Sequence, residues 1–96
     1  MPGINRLVLD LLKPNEIDTV DFAQSIAEID GVEGVNAALL ETDKQVQNLK
    51  LTIEGEDIDY DAVEQTITDL SGTIHSIDEI AYGERLVEES RTPQDD

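Results

Sequence analysis

The residues of this chain best suited to chemistry are its single histidine, His75, and an aspartate, Asp10; the chain contains no cysteine. The hydrophobic pattern predicts a sheet in which the first strand ends beside the beginnings of the third and fourth. Asp10, Lys50 and His75 then share the open face of that sheet. A carboxylate beside an imidazole can orient the ring or bind a metal ion with it. The same residues would equally form a cross-strand ion pair beside a hydrogen-bonded histidine. Because these residues are only part of a catalytic triad and no other catalytic constellation is found, we expect that the protein is not an enzyme.

Carboxylates of the fourth strand suggest calcium binding. Asp78 and Glu79 would join Asp10 to supply the several oxygen ligands that calcium requires, and Glu41 and Asp43 are further candidates. Neighbouring strand residues point to opposite faces, so Asp78 and Glu79 reach one ion only if a bulge intervenes, although an oligomer could bring together carboxylates of two subunits. The alternative is that these carboxylates are solvated. With no cysteine and one histidine, a bound ion would be calcium or magnesium and not structural zinc.

The elements that must position these residues come from a unit that occurs twice in the chain. In each copy an aspartate, Asp18 or Asp59, is preceded by an apolar residue and followed by another at the fourth helical position, as in an N-cap with a hydrophobic staple. Each copy reaches a glycine, Gly31 or Gly72, that can end a helix in the left-handed conformation. The pattern predicts helices over residues 19–30 and 60–70.

Alternating apolar residues predict four strands around the two helices, over residues 4–12, 35–41, 49–54 and 73–82. The last contains Ile74, Ile77 and Ile80 at a spacing of three, which indicates a bulge or a change of partner. With right-handed crossovers, the order βαββαβ predicts an α+β, ferredoxin-like two-layer sandwich. Its four-stranded antiparallel sheet has the order 4-1-3-2, with both helices on one face. We expect residues 1–92 to form one such domain and residues 93–96 to be a disordered acidic tail.

One whole face of such a sheet has no helix above it. Water-facing strands are usually less apolar than the pattern predicts for this face, so we expect a partner to cover it. A second copy of the chain is the most economical partner, and we therefore predict a homo-oligomer. The apolar residues predicted to lie on this open face are Val8, Ala38, Leu40 and Ile77.

The charge of the chain disfavours several classes of partner. It carries 23 Asp and Glu against 6 Lys and Arg, a formal net charge of −17 at pH 7. Contact with phosphates needs clustered positive charge, so we expect no binding to nucleic acid and none to anionic membranes. The acidic excess would suit a high-salt cytoplasm, divalent cations or a basic partner, and these interpretations are compatible. Because no apolar run approaches the ~18 residues of a membrane span, we expect a cytoplasmic location.

Three stretches together resemble the archaeal DUF211 family of small proteins: VLDLLKP at residues 8–14, GVEGVN at 31–36 and IHSIDEI at 74–80. The resemblance covers residues 4–93, nearly the whole chain. It implies an archaeal source, a ferredoxin-like fold, a ring-like oligomer and calcium binding at positions that it does not assign. The resemblance implies no enzymatic activity or other established function. Because the chain is more acidic than expected of the family, it resembles a haloarchaeal member.

These observations favour a non-enzymatic oligomeric protein with a regulatory or scaffolding role and with calcium as a candidate ligand. A different class of function stays open, because the amino-acid-binding ACT modules share the predicted topology. The chain would then be a small-molecule sensor that binds its effector at subunit interfaces.

Overall fold

The computed structural model of the protein describes residues 3–90, which form a four-stranded sheet and two helices. The elements are β1 (Gly3–Pro14), α1 (Thr19–Ala27), β2 (Val32–Thr42), β3 (Val46–Ile58), α2 (Tyr60–Asp69) and β4 (Thr73–Gly83). The strands have the spatial order β2-β3-β1-β4, and every neighbouring pair is antiparallel. This confirms the predicted α+β, ferredoxin-like arrangement. The tail predicted for residues 93–96 lies outside the described residues.

Each helix begins at the aspartate that the repeated unit predicts. The Asp18 carboxylate accepts a hydrogen bond from the Val20 amide at 2.8 Å, and Asp59 accepts one from the Ala62 amide at 3.3 Å. These bonds satisfy amides of the first helical turn that have no partner within the helix. Each helix then turns an apolar stripe towards the sheet; the buried residues of the two stripes are Phe22, Ile26, Val63 and Ile67.

The helix ends differ from the prediction in both copies. Gly31 adopts a positive φ of 92°, as predicted, although α1 already ends at Ala27. In the second copy, the positive φ belongs to Ser71 (65°) and not to Gly72. Gly72 is instead a close-packing position, because a Cβ there would lie 2.9 Å from Cγ2 of Ile67.

The core lies between the helices and the two central strands. Alternate residues of β1 point to the helices and pair with alternate residues of β3, as the predicted period of two requires. All six side chains are fully buried, and each such burial stabilises the fold by about 1.5–3 kcal/mol. The pairs are Leu7 with Ile53, Leu9 with Leu51 and Leu11 with Leu49.

Two bulges in β4 explain the isoleucine spacing of three. Two β4 residues have no opposite residue in β1: His75, between Ile74 and Ile77, and Asp78, between Ile77 and Ile80. Directly opposite residues of an antiparallel ladder point to the same side, so all three isoleucines lie on the helix side. The predicted bulge is confirmed, and the placement of Ile77 on the open face is wrong. The pairs are Leu11 with Ile74, Leu9 with Ile77 and Leu7 with Ile80.

The rest of the open-face prediction holds in part. Val8 and Ala38 lie on that face, because their cross-strand partners there are Thr52 and Lys50. Leu40 is the extra residue of a register shift in β2. Most of the open face is polar, and the exposed large apolar side chains of the sheet lie on its edge strands, β2 and β4. Within the described range, neither helix is long and apolar enough to span a bilayer.

A pair of glycines in the sheet tests the close packing at one end of β3. A Cβ on Gly55 would overlap the carbonyl oxygen of Gly31, which also accepts the Glu56 amide at 2.8 Å. We expect Gly55→Ala to lower the free energy of unfolding by about 3 kcal/mol, the upper end of the overpacking range. Gly34→Ala is the matched control, since no atom lies within 4 Å of its Cβ position. Urea unfolding of both variants measures the difference, and equal midpoints would contradict the packing.

Candidate functional site

Polar contacts of the open sheet face converge on Arg6. Its Nε donates to Glu54 of β3 at 2.8 Å, and Nη1 donates to Glu79 of β4 at 3.2 Å. Nη1 and Nη2 also donate to the two carboxylate oxygens of Glu88 at 2.9 and 3.1 Å. All salt bridges found within residues 3–90 use this guanidinium, whose side chain is 16% exposed. One cation thus joins two strands to the segment that follows β4.

The sheet register puts this cluster together. Arg6 lies directly opposite Glu54, and Glu79 lies opposite Val8, one open-face position further along β1. Val8 is only 6% exposed although no helix covers its face. Its open-face neighbours are Arg6 and Asp10 along β1, Thr52 on β3 and Glu79 on β4. Two members of the Arg6 cluster, Arg6 and Glu79, thus flank Val8 on the open face.

The charges of the cluster stabilise one another. Hydrogen bonds to Glu88, then to Glu54 and Glu79, raise the pKa of the Arg6 guanidinium. In return, the hydrogen bond from Arg6 lowers the pKa of the Glu88 carboxyl. A guanidinium stays protonated throughout the physiological range, so it supplies a fixed charge and does not transfer protons. The arrangement suits an anchoring role rather than acid–base catalysis.

The predicted group of Asp10, Lys50 and His75 is only partly assembled. Asp10 lies opposite Lys50 in β3, but its carboxylate accepts a hydrogen bond from the Asn48 side chain, which also donates to the Leu11 carbonyl at 3.1 Å. In β4, the residue opposite Asp10 is Ser76, and His75 is the unpaired bulge residue beside it. No hydrogen bond joins His75 to Asp10 in the described residues.

The three predicted metal ligands each form hydrogen bonds with a different residue. Asp78 is the second bulge residue of β4 and accepts a hydrogen bond from Ser76 Oγ at 2.7 Å, whereas Glu79 binds Arg6 on the open face and Asp10 binds Asn48. Within residues 3–90, no group of three or more His, Cys, Asp or Glu side chains is arranged to hold a metal ion. The calcium site therefore stays a prediction.

A concave region of about 530 Å³ lies at the Arg6 end of the sheet. Ligand pockets commonly have such volumes, but this lining is mostly acidic and glycine-rich rather than apolar. The Oδ1 atom of Asn5, one of the lining residues, is buried and has no hydrogen-bond partner. The lining carboxylates are Glu33, Glu54, Glu56, Asp57 and Glu84.

Sequence reasoning missed two cations. Lys13 is 1% exposed, and its Nζ donates to the Pro14 carbonyl at 2.9 Å and to the Ile17 carbonyl. The alternation Leu7, Leu9, Leu11 continues to position 13 and would have placed this lysine on the helix side. Arg6 had no such signal, because its partner Glu88 is distant in sequence and belongs to no regular element.

Comparison with known proteins places the chain among archaeal relatives. The family model of DUF211, described as Uncharacterized ArCR, COG1888, matches residues 5–96. Uncharacterized protein MJ0319 of the archaeon Methanocaldococcus jannaschii is 47% identical over 95 residues, which cover 99% of this chain and 98% of that relative. Neither description states an activity, a ligand or a partner.

Removing the central cation tests the Arg6 cluster. We expect Arg6→Met to lower the thermal midpoint by a few degrees, because three carboxylates lose their shared donor. The control Arg85→Met removes the same charge without breaking any salt bridge of the described residues. Because Glu88 has a lowered pKa, its contribution is full at neutral pH and is lost as the pH falls through that lowered value. The difference from wild type should therefore shrink in acid; equal effects of both variants at neutral pH would contradict the cluster.

Proposed function

The chain belongs to the DUF211 family, and on that premise we propose that it is a non-enzymatic protein that assembles with copies of itself and has a scaffolding or regulatory role. The observation that supports this proposal is the exposure of large apolar side chains at both edges of the sheet. Within residues 3–90, each edge strand also leaves one row of backbone groups without a strand partner, which is a template for pairing with another chain.

The edge strands β2 and β4 carry these apolar residues. They are 48 to 70% exposed, far more than the fully buried leucines of the central strands. Single exposed apolar residues are ordinary on a protein surface, but rows of them beside unpaired strand edges mark an interaction surface. The residues are Leu39 and Leu40 on β2 and Ile77, Ile80 and Tyr82 on β4.

The two edge strands carry exposed apolar residues on the same side of the sheet and run in opposite directions, so they could pair between copies. Leu39 lies opposite Leu49, and Ile77 and Ile80 lie opposite core leucines of β1, so all three stand on the helix side. Because the order β2-β3-β1-β4 is antiparallel throughout, β2 and β4 run in opposite directions. The β2 edge of one copy against the β4 edge of the next would continue both the alternation and the apolar layer. Such a repeated head-to-tail contact forms a ring when its rotation closes.

Because of its net charge of −17, two copies of the chain repel each other, and this repulsion depends on the salt concentration. Exposed charges repel over about 10 Å at 0.1 M salt but over about 3 Å at 1 M. We therefore propose that the acidic surface is an adaptation to a salt-rich cytoplasm, as in a haloarchaeal source. Association should be strongest in concentrated KCl.

Charged substitutions at either edge test the assembly. We expect wild type to have a mass in molar KCl that is a multiple of the 10.6 kDa protomer. Leu39→Lys and Ile80→Lys should each shift the protein to the monomer, because either lysine would be buried at the contact. Light scattering coupled to size exclusion measures the mass.

Val20→Lys is the matched control for these variants. Val20 is 71% exposed, but it lies in the first turn of α1 and not on either edge strand. Its substitution should leave the assembly intact. A monomeric wild type in molar KCl would overturn the proposal, as would loss of assembly in all three variants alike.

The ACT-like alternative makes a different prediction for the same preparation. A sensor would gain several degrees of thermal stability from an amino acid or nucleotide, because a ligand that binds only the folded state stabilises it. A scaffold would not respond to such ligands. Thermal-shift measurements with both classes of ligand distinguish the two functions.

We further propose that calcium binds where two copies meet. Asp78 belongs to the edge strand β4, and within residues 3–90 its only hydrogen bond is the one from Ser76, whereas Asp10 and Glu79 are engaged within the subunit. Pairing of the two edges would bring carboxylates of β2, such as Glu41, towards Asp78 of the neighbouring copy. Several carboxylate oxygens from two chains are the ligands that calcium prefers.

Calorimetric titration with calcium in molar KCl tests this site. Asp78→Asn should weaken binding by roughly tenfold or more, since losing a ligand costs at least as much as losing a residue that orients one. Asp21→Asn on α1 is the control for the removed charge, and Asp10→Asn and Glu79→Gln test the rest of the predicted set. The monomeric Leu39→Lys variant should not bind. Absence of binding to the assembled wild type would contradict calcium as a ligand.

A further inference from the structure

We propose that residues 84–90, here called the C-terminal strap, form a latch that closes over the Arg6 end of the open sheet face and opens when Glu88 leaves Arg6. The strap follows β4 without regular secondary structure of its own. The chain turns back at Gly83, whose φ of 124° is readily available only to glycine. This inference does not depend on the proposed assembly.

Two neighbouring residues of β1 hold the strap. Asn5 Nδ2 donates to the Gly83 carbonyl at 3.0 Å and to the Arg85 carbonyl at 3.1 Å. Arg6 forms the paired hydrogen bonds to Glu88 at 2.9 and 3.1 Å. The attachment therefore spans the strap from its start almost to its end.

The anchor is independent of the strap. Glu54 and Glu79 hold the Arg6 guanidinium from the two strands that flank β1, so Arg6 keeps its position when Glu88 departs. A charged group held in place in advance loses little side-chain freedom when its partner arrives. The open and closed states of the strap thus share the same sheet.

Burial of apolar side chains contributes little to holding the strap in its closed position. Leu86 and Val87 remain 39% and 64% exposed in the closed strap. The strap also carries Glu84 beside the lining carboxylates of the adjacent cavity, an unfavourable arrangement of like charges. Because few polar contacts oppose this repulsion, opening is a low-cost local event rather than unfolding of the domain.

Opening would change the surface around the cavity of about 530 Å³, because Glu84 and Leu86 form part of its wall. The cavity would become a groove along β1 and β3, open to larger ligands. It would also release Asn5 Nδ2 from the Arg85 carbonyl, leaving its hydrogen bond to Gly83 at the end of β4. The strap is thus a releasable cover for this end of the protein.

Trypsin provides a direct test, because the strap contains a cleavable bond after Arg85 whose carbonyl is held by Asn5. We expect Glu88→Gln to accelerate cleavage after Arg85 by about two- to fivefold, the range expected for losing a partly exposed ion pair. Glu89→Gln removes the same charge next to Glu88 and should leave the rate unchanged. Mass spectrometry of the early fragments measures the rates.

Two references make the result specific to the strap. Each rate is divided by that of a synthetic peptide of residues 82–90 with the same substitution, which removes the direct effect of the side chain on trypsin. Cleavage after Lys50, within β3, reports opening of the whole sheet and should not change. Equal normalised rates for wild type and Glu88→Gln would overturn the latch. Equal acceleration by Glu89→Gln, or a parallel rise at Lys50, would overturn it as well.

Discussion

The alternation of side chains along β1 is the constraint on which both faces of the protein depend. β1 pairs with β3 on one side and β4 on the other, so each of its residues is fixed towards the helices or away from them. Leu7, Leu9 and Leu11 take the helix side and form the middle of the core. Arg6 and Val8 take the other side, and Arg6 becomes the point at which two strands and the strap meet. A slip of one residue would exchange these two sets and remove both the core and the cluster.

The bulges of β4 decide which of its side chains face the helices. They bring Ile77 and Ile80 to the helix side at the rim of the core, where a regular strand would have left one of them on the open face. They also leave His75 and Asp78 without opposite residues in β1. Bulges often re-aim side chains in this way. The exposed apolar surface therefore lies at the sheet edges, while the open face is mostly polar.

Two of the few cations, Arg6 and Lys13, have a structural task. With 6 Lys and Arg against 23 acidic residues, a single guanidinium serves three carboxylates, and a lysine ammonium is buried against backbone carbonyls. Arginine suits the first task because its planar donors can reach several carboxylates at once. The large excess of acid elsewhere remains on the surface, where its repulsion depends on salt.

Much of the fold was determined by local sequence patterns. The N-caps Asp18 and Asp59, the period-two leucines and the order of elements are properties of short stretches, and they predicted the sheet order without long-range information. Tertiary structure decided the rest, because register shifts and contacts between distant residues leave no local signal. The isoleucine spacing indicated a bulge in β4, but only pairing with β1 showed that two bulges place Ile77 with the core. Likewise, Arg6 and Glu88 are 82 residues apart, and only the turn of the chain after β4 brings the carboxylate to the guanidinium.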